Sequence, residues 1–191
     1  MFVAVLDTCV LWPSLQRDVL LSLAAENLYR PRWSDAILEE LEFHEARKLV
    51  DRGADPERAA ARAAHLVEQM AAAFDDACVV GWEVLDGSFS LPDPDDEHLV
   101  AAAVIGGAEA IVSNNISDLP QGRVPAQIQV IKPPVFVADT VAVSPDAAVR
   151  ALRTMIGRRT NPPETLEHVL EVLERRYGMV DAVEMIRAAA S

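Results

Sequence analysis

The apolar residues of the chain fall into two kinds of segment. Short runs rich in β-branched residues are typical of strands buried on both faces of a parallel sheet. They cover residues 2–6, 78–80, 110–113 and 127–131, and a more polar extended piece covers residues 29–33. Longer segments with apolar positions three and four residues apart are typical of helices with one buried face. They cover residues 10–15, 16–30, 35–50, 57–74, 94–105, 144–155, 164–177 and 179–189. Strands that alternate with helices predict an α/β fold with a parallel sheet.

Length and pattern predict two parts. A chain of 191 residues suits one domain of ordinary size with an appendage. We expect a catalytic domain over residues 1–135 and a purely helical C-terminal extension over residues 144–191, with a linker at Arg158–Pro163 inside the extension. No apolar run approaches the roughly 20 residues that span a bilayer, so no membrane contact is expected.

The charge of the chain is strongly negative and unevenly spread. The net charge is −13, and residues 144–191 carry seven basic and seven acidic residues, so residues 1–143 hold the whole excess. Such a surface is the opposite of the basic surface expected of a nucleic-acid-binding protein. If the acidic part meets phosphates, it needs divalent cations or a basic partner. Solvated acidity that keeps a protein soluble is the alternative explanation. The two cysteines form no disulfide framework, and the opening residues contain no basic leader, so a cytoplasmic protein is expected.

Several acidic and amide side chains stand at strand ends and helix starts. Asp7 follows the first buried strand, where an acid is costly without a partner or ligand. Asn115 and Asp118 follow the strand at 110–113, and Asp96 lies in the first turn of a helix. Because the carboxyl ends of parallel strands and helix N-termini carry the chemistry of α/β proteins, these side chains are candidates for one site. For Asp7, capping of the next helix or an ion pair with an arginine remains an alternative.

Helical phase separates these acids from their neighbours. Asp96 shares a face with Leu99, Val100 and Ala103, so it is expected to point inward. In the same run, Asp93 is expected to be the N-cap before Pro94, and Asp95 is ambiguous. On the helix at 35–50, which Ser34 is expected to cap, Glu40 lies at the edge of the apolar stripe and can face inward, whereas Glu39, Glu42 and Glu45 are expected to be solvated.

The chemistry that such a cluster supports is metal chemistry. Carboxylate and amide oxygens suit Mg²⁺ and Mn²⁺, whereas zinc is not expected because the sequence has no CxxC or HExxH motif. A phosphatase of the haloacid-dehalogenase type needs a DxDxT motif, and the residues around Asp7 lack the second aspartate. No glycine-rich phosphate loop and no nucleophile elbow are found in the sequence.

At these residues the chain resembles the PIN-domain ribonuclease family and, within it, the VapC-type toxins of bacterial toxin–antitoxin pairs. The resemblance covers about residues 2–132. The segments that carry it are VLDTCVL, SDAILEEL, DPDDEHLVAAAVIGGAEAIVSNN and SDLP. It implies a three-layer α/β/α fold with a central parallel sheet of four to five short strands.

The resemblance also implies roles for individual residues. Asp7, Glu40, Asp96 and Asp118 would be the catalytic acids, and Thr8 and Ser113 would be supporting hydroxyls. Asp7, Asp96, Asp118 and Asn115 would hold Mg²⁺ or Mn²⁺, with the choice between Asn115 and Asp118 as fourth ligand left open. The chain departs from the family pattern at Cys9, which is often asparagine there, and at Asn115, which is often aspartate.

The resemblance further implies an RNA substrate, a homodimer and a cognate antitoxin of the VapB type. A basic antitoxin fits the acidic part of the chain on electrostatic grounds. The alternative function is a catalytically inactive PIN-like binding or regulatory module, which Asn115 and the lack of a basic surface favour. The role of the helical extension does not follow from its sequence.

Overall fold

A five-stranded parallel sheet forms the centre of the protein, as seen in a computed structural model that describes residues 1–159 and 163–191. Along the chain the strands are β1 (Val3–Leu6), β2 (Arg30–Ser34), β3 (Cys78–Val79), β4 (Ala110–Val112) and β5 (Gln129–Ile131). Across the sheet their order is β3-β2-β1-β4-β5. With helices against the sheet, this confirms the predicted α/β architecture of four to five short parallel strands.

The middle strands are fully enclosed, as their apolar sequences predict. Ala4, Val5 and Leu6 of β1 and all three residues of β4 have no solvent exposure. The two strands pair directly, with Leu6 opposite Val112. Their carboxyl ends therefore lie side by side, and the next residue of each strand, Asp7 and Ser113, leaves the sheet at the same edge.

Helices connect and cover the strands. Their bounds are α1 (Thr8–Leu11), α2 (Ser14–Ala25), α3 (Asp35–Asp51), α4 (Pro56–Ala73), α5 (Glu97–Ile105), α6 (Pro133–Val143), α7 (Pro145–Gly157), α8 (Leu166–Tyr177) and α9 (Val180–Ala190). Ser34 caps α3 as predicted, because its side chain accepts a hydrogen bond from the Ile37 amide at 3.2 Å. The sequence pattern predicted that the second helix ends at residue 30, but α2 ends at Ala25. The chain leaves the helix there because Asn27 adopts a left-handed φ of 58°.

The start of α5 differs from the prediction in a way that affects the site. The sequence places the helix start at Pro94, but the structure has a 3₁₀ turn over Pro94–Asp96 and begins α5 at Glu97. Asp93 does cap this turn, since its carboxylate accepts a hydrogen bond from the Asp95 amide at 3.0 Å. Asp96 consequently lies at the junction of the turn and the helix.

The hydrophobic pattern predicts no helix between residues 131 and 144, but α6 begins directly at Pro133. Proline at the first position of a helix loses no hydrogen bond, so the Pro133-Pro134 pair begins a helix here. Phe136 of α6 packs edge-on against Tyr29, with ring centroids 4.8 Å apart. Helix α6 thus joins the sheet domain to the extension, where it contacts α7 and α9.

The extension packs against the sheet domain through α7, which lies along α2, and its last helices pack on α6 and α7. Part of the predicted linker, residues 160–162, lies outside the described residues. Among the helices in the described ranges, none has the length and apolar character needed to cross a membrane.

Candidate active site

Asp7 is fixed at the carboxyl end of β1 by groups from the end of β4 and from α1. Its backbone amide donates to the Val112 carbonyl at 3.1 Å. One carboxylate oxygen accepts from the Ser113 hydroxyl at 2.6 Å, and the other accepts from the Cys9 amide at 3.3 Å. Asp7 therefore does cap α1, which was the alternative interpretation of this residue. The cap uses one oxygen and the sheet edge holds the other, so the side chain has a single orientation.

Cys9 contacts the same carboxylate. Its thiol lies 3.0 Å from the Asp7 carboxylate, and the Asn114 amide donates to its sulfur at 3.2 Å. Burial of the thiol, followed by the charge of Asp7 and the hydrogen bond to it, raises the pKa of Cys9 to about 12. Cys9 is accordingly a neutral thiol that donates to Asp7, which is a role the amide of an asparagine can also fill.

Glu40 is held by two side chains from other elements. Its carboxylate accepts from the Thr8 hydroxyl at 2.7 Å and lies 3.4 Å from Nε2 of His98. Burial alone would raise the pKa of Glu40, but the hydrogen bonds from His98 and Thr8 outweigh burial and lower it. The lowered pKa keeps the carboxylate ionised, and the side chain is 45% exposed, so it can be reached from solvent. Glu40 was predicted to lie at the edge of the apolar stripe, able to face inward; its carboxylate contacts Thr8 and His98, and its side chain is still exposed.

His98 is a residue that the sequence analysis missed. It is buried in α5, and its ring lies against the ring of Trp82 at a centroid distance of 6.0 Å. Burial would lower the pKa of His98, but the hydrogen bond to Glu40 and the charges of Glu40, Asp7 and Asp96 raise it. The signal in the sequence was a lone histidine two residues after Asp96, at the start of an otherwise apolar helix.

Asp96 is the acid most strongly perturbed by its surroundings. Burial, followed by the charges of Asp7, Asp93 and Asp118, raises the pKa of Asp96 to about 6, although His98 acts in the opposite direction. One of its carboxylate oxygens is buried and has no hydrogen-bond partner. A buried oxygen without a partner is costly unless a ligand satisfies it.

Asn115 and Asp118 lie in the turn after β4 and bond mainly to each other. The Asn115 side-chain amide donates to the Asp118 carboxylate, and its oxygen accepts from the Ser117 hydroxyl at 3.3 Å. The backbone amide of Asn115 donates to the Ser113 hydroxyl at 2.9 Å, which ties this turn to Asp7. The amide oxygen of Asn115 is thus engaged within its own turn, whereas Asp118 contributes charge at Asp96.

The donor set fits a hard divalent cation in its chemistry. Asp7 and Asp96 are coupled carboxylates, and the unpartnered oxygen of Asp96 is a free ligand atom. Within residues 1–159 and 163–191, no three His, Cys, Asp or Glu side chains are arranged to hold a metal ion together. Mg²⁺ commonly takes only one or two protein carboxylates and completes its shell with water and substrate phosphate. The residues present meet that requirement.

Two further glutamates near the site have structural roles. Glu45 was predicted to be solvated, and this is wrong: its side chain is buried, 3.7 Å from Arg17, and paired with Lys48. The helical phase was misleading because these cationic partners can satisfy a buried carboxylate. Glu97 is 3% exposed, and its carboxylate accepts hydrogen bonds at 2.8 and 2.7 Å from the backbone amides of Phe89 and Leu91. It fixes the loop that leads into Asp96.

Comparison with known proteins agrees with this geometry. A family model described as PIN domain matches residues 3–117, and one described as VapC50 C-terminal domain matches residues 133–188. A protein of Mycobacterium tuberculosis with the name "Putative ribonuclease VapC50" is 32% identical over 79 residues, which make up 41% of this chain and 47% of that protein. The match thus spans about half the length of this curated relative. No solved structure gives a significant match.

Proposed function

Because the chain belongs to the PIN-domain family, we propose that it is a divalent-metal-dependent endoribonuclease and the toxin of a toxin–antitoxin pair. The observation that carries the proposal is the pairing of an oriented Asp7 with a half-buried Asp96 whose pKa is raised by burial and by Asp7. Two such carboxylates at a sheet edge are stable as neighbours only when a proton or a cation separates their charges. RNA is proposed as substrate on the strength of the family and the name of the curated relative.

Asp7, Asp96 and Asp118 would hold Mg²⁺ or Mn²⁺, with Asp118 favoured over Asn115 as a ligand because the Asn115 amide bonds within its turn. When bound, such an ion activates water and stabilises the charge that develops on the phosphate. Ser113 fixes one oxygen of Asp7. The proposed order of importance is therefore Asp7 and Asp96 first, then Asp118, then Asn115.

Glu40 is the proposed proton acceptor. Its carboxylate is ionised, partly exposed and oriented by Thr8 and His98, which are the properties of a general base. Thr8 is proposed as a supporting hydroxyl, because it donates a hydrogen bond to the Glu40 carboxylate. His98 is a positioning residue that acts through Glu40.

The partners are proposed on charge. Residues 1–143 carry the whole excess of negative charge, so a basic antitoxin segment is the partner that such a surface attracts. A homodimer is proposed from the family alone. For the domains, we retain residues 1–135 as the catalytic part and residues 144–191 as the extension, with α6 packed against both.

Cleavage of a labelled structured RNA tests the proposal. The full chain should cleave it in Mn²⁺ and not in EDTA, and Asp7→Asn and Asp96→Asn should each lower the rate by at least 100-fold, about the loss seen when one electrostatic stabiliser of a transition state is removed. Asp95→Asn is the matched control, because Asp95 is exposed and adjacent to Asp96. Cleavage that survives both substitutions would remove the metal site from the proposal.

A catalytically inactive PIN-like binding module is the second candidate. The observation that favours it is the absence, within the described ranges, of a preformed cluster of three metal-binding side chains. This candidate predicts that the wild-type chain binds RNA or a partner protein but gives no cleavage in Mn²⁺ that exceeds the Asp7→Asn variant.

A further inference from the structure

An exposed aromatic surface lies one helical turn beyond the proposed acids. It consists of Trp12, Phe43 and His44. Trp12 is 42% exposed and Phe43 is 62% exposed, and His44 is exposed as well. A contiguous exposed patch of large apolar side chains marks an interaction site, whereas single exposed residues do not.

The position of this surface follows from two helices that also carry the site. Trp12 is the C-cap residue of α1, and its amide donates to the Thr8 carbonyl at 2.8 Å, so Trp12 lies one turn after Thr8. In α3 Phe43 follows Glu40 by three residues, which places their side chains about 5–6 Å apart on one face. Thr8 and Glu40 are hydrogen-bonded to each other. The aromatic surface is therefore the next layer outward from the proposed general base.

Contacts hold the rings in place. The Trp12 indole N–H donates to the His44 carbonyl at 3.3 Å, and the His44 ring meets the Phe43 ring at a centroid distance of 5.4 Å and an interplanar angle of 75°. The Lys48 ammonium lies 5.6 Å from the centroid of the Trp12 ring and 3.4 Å from the Trp12 carbonyl. The surface is thus oriented before any ligand arrives, which reduces the entropy lost on binding.

Cationic and acidic side chains are mixed around these rings. Arg47 is exposed and follows Phe43 by four residues, so it reaches over the same face. Lys48 is paired with Glu45, and Glu39 and Glu42 lie on the same helix. The rings can stack on bases and the exposed guanidinium of Arg47 can bind a phosphate, so, beside a site proposed to cut RNA, single-stranded RNA is the ligand that this combination fits.

We propose that Trp12 and Phe43 stack on unpaired RNA bases beside the cleaved phosphate, and that Arg47 binds a neighbouring phosphate. This inference rests on the proposed function for its choice of substrate. Single-stranded nucleic acid is commonly bound by aromatic rings that stack on bases together with cations that follow the backbone. The site would therefore cut RNA where bases are unstacked, in loops or single strands.

Binding of fluorescein-labelled single-stranded RNA in EDTA tests the surface without metal-dependent cleavage. The acids repel RNA equally in every variant, and no measurable binding by the wild type would overturn the inference. Trp12→Leu and Phe43→Leu should each weaken binding about 5- to 100-fold with an unchanged salt dependence. Arg47→Ala should lower the slope of log affinity against log salt by about 0.7. Trp12→Phe and Phe43→Tyr should bind within about threefold of the wild type, which separates lost stacking from misfolding. Val143→Ala, at a 72% exposed position in α6, is the control for loss of exposed apolar surface.

The same variants in the Mn²⁺ cleavage assay separate the two proposals. If the wild type cleaves RNA and the leucine variants bind and cleave as it does, the aromatic surface has no role in substrate binding and the inference is overturned. If the wild type does not cleave but its RNA affinity still falls in the leucine variants, the proposed activity fails and the binding surface stands. Reduced affinity together with a raised KM and a nearly constant kcat supports both.

Discussion

Removal of the Asp96 charge should stabilise the metal-free protein, although it should also abolish activity. The pKa of Asp96 is raised from 3.8 to about 6, chiefly by burial and then by Asp7, Asp93 and Asp118. Each pKa unit corresponds to about 1.4 kcal/mol, so the ionised form is disfavoured by at most about 3 kcal/mol. Asp96 is partly exposed, and solvent screening reduces the usable figure to roughly 1 kcal/mol.

The sign of the pH dependence follows from the direction of the shift. A folded-state pKa above the unfolded value means that the folded protein binds the proton more tightly. The contribution of Asp96 to the free energy of unfolding is therefore fully present below about pH 4 and is lost as the pH rises through about 6. Asparagine resembles the protonated acid, so Asp96→Asn should raise the melting temperature at pH 8 by about 2–4 °C for a chain of this size, and should leave it unchanged at pH 4.

Differential scanning calorimetry in EDTA at several pH values measures this effect, with Asp95→Asn as the control that should shift nothing. Mn²⁺ at pH 8, added at 100 times its dissociation constant, should stabilise the wild type by about 2.7 kcal/mol and so raise its melting temperature. It should not raise the melting temperature of Asp96→Asn. A variant that melts below the wild type at pH 8, or a difference that does not change between pH 4 and pH 8, would refute the reasoning.

Three other outcomes follow from buried polar groups. Glu97→Gln leaves one of two backbone amides without its acceptor and should cost about 1.5–3 kcal/mol in urea unfolding, with faster hydrogen exchange in residues 89–91; unchanged exchange would contradict the role of this side chain in fixing the loop. Glu45→Ala strands a buried arginine and should cost about 3 kcal/mol, whereas Glu39→Ala on the exposed side of the same helix should change stability by less than about 0.5 kcal/mol; equal costs would mean that the ion pair is irrelevant. Iodoacetamide at pH 8 should modify the exposed Cys78 well before Cys9, because burial and Asp7 raise the pKa of Cys9 to about 12. Mass spectrometry identifies which cysteine is alkylated first, and Cys9 reacting first would show that its thiol is not held as described.

Local sequence signals were sufficient for the parts of the site that depend on one element. A buried strand followed by an acid predicted Asp7 at the carboxyl end of β1, where it lies. Asp96 does have one buried carboxylate oxygen, but it lies in a 3₁₀ turn before α5 and not in the helix whose phase was used to predict its direction. The same reasoning predicted the parallel sheet, because short β-branched runs between helices leave few alternatives. These signals are local, so one sequence carries them.

Local sequence patterns could not predict side-chain contacts between segments that are far apart in the sequence. Glu45 looks like a surface residue until Arg17, 28 positions earlier in the numbering, is known to lie beside it. His98 gains its role only because Glu40, on another helix, lies within 3.4 Å. Helix α6 was missed for a different reason, since a proline pair ends one element and begins another with equal ease. Partner identity, rather than residue type, was the missing information in the first two cases.

The hydrogen bond between Asp7 and Ser113 spans 106 positions of the sequence. During synthesis Asp7, the first of the proposed catalytic acids, is made well before the strand that orients it, because Ser113 follows 106 residues later. At about 5–20 residues per second, the interval is roughly 5–20 s. During that time the growing chain has Asp7 without the group that orients it, so the site is not assembled. The proposed antitoxin, if it recognises the assembled acids, can bind only after β4 has paired with β1.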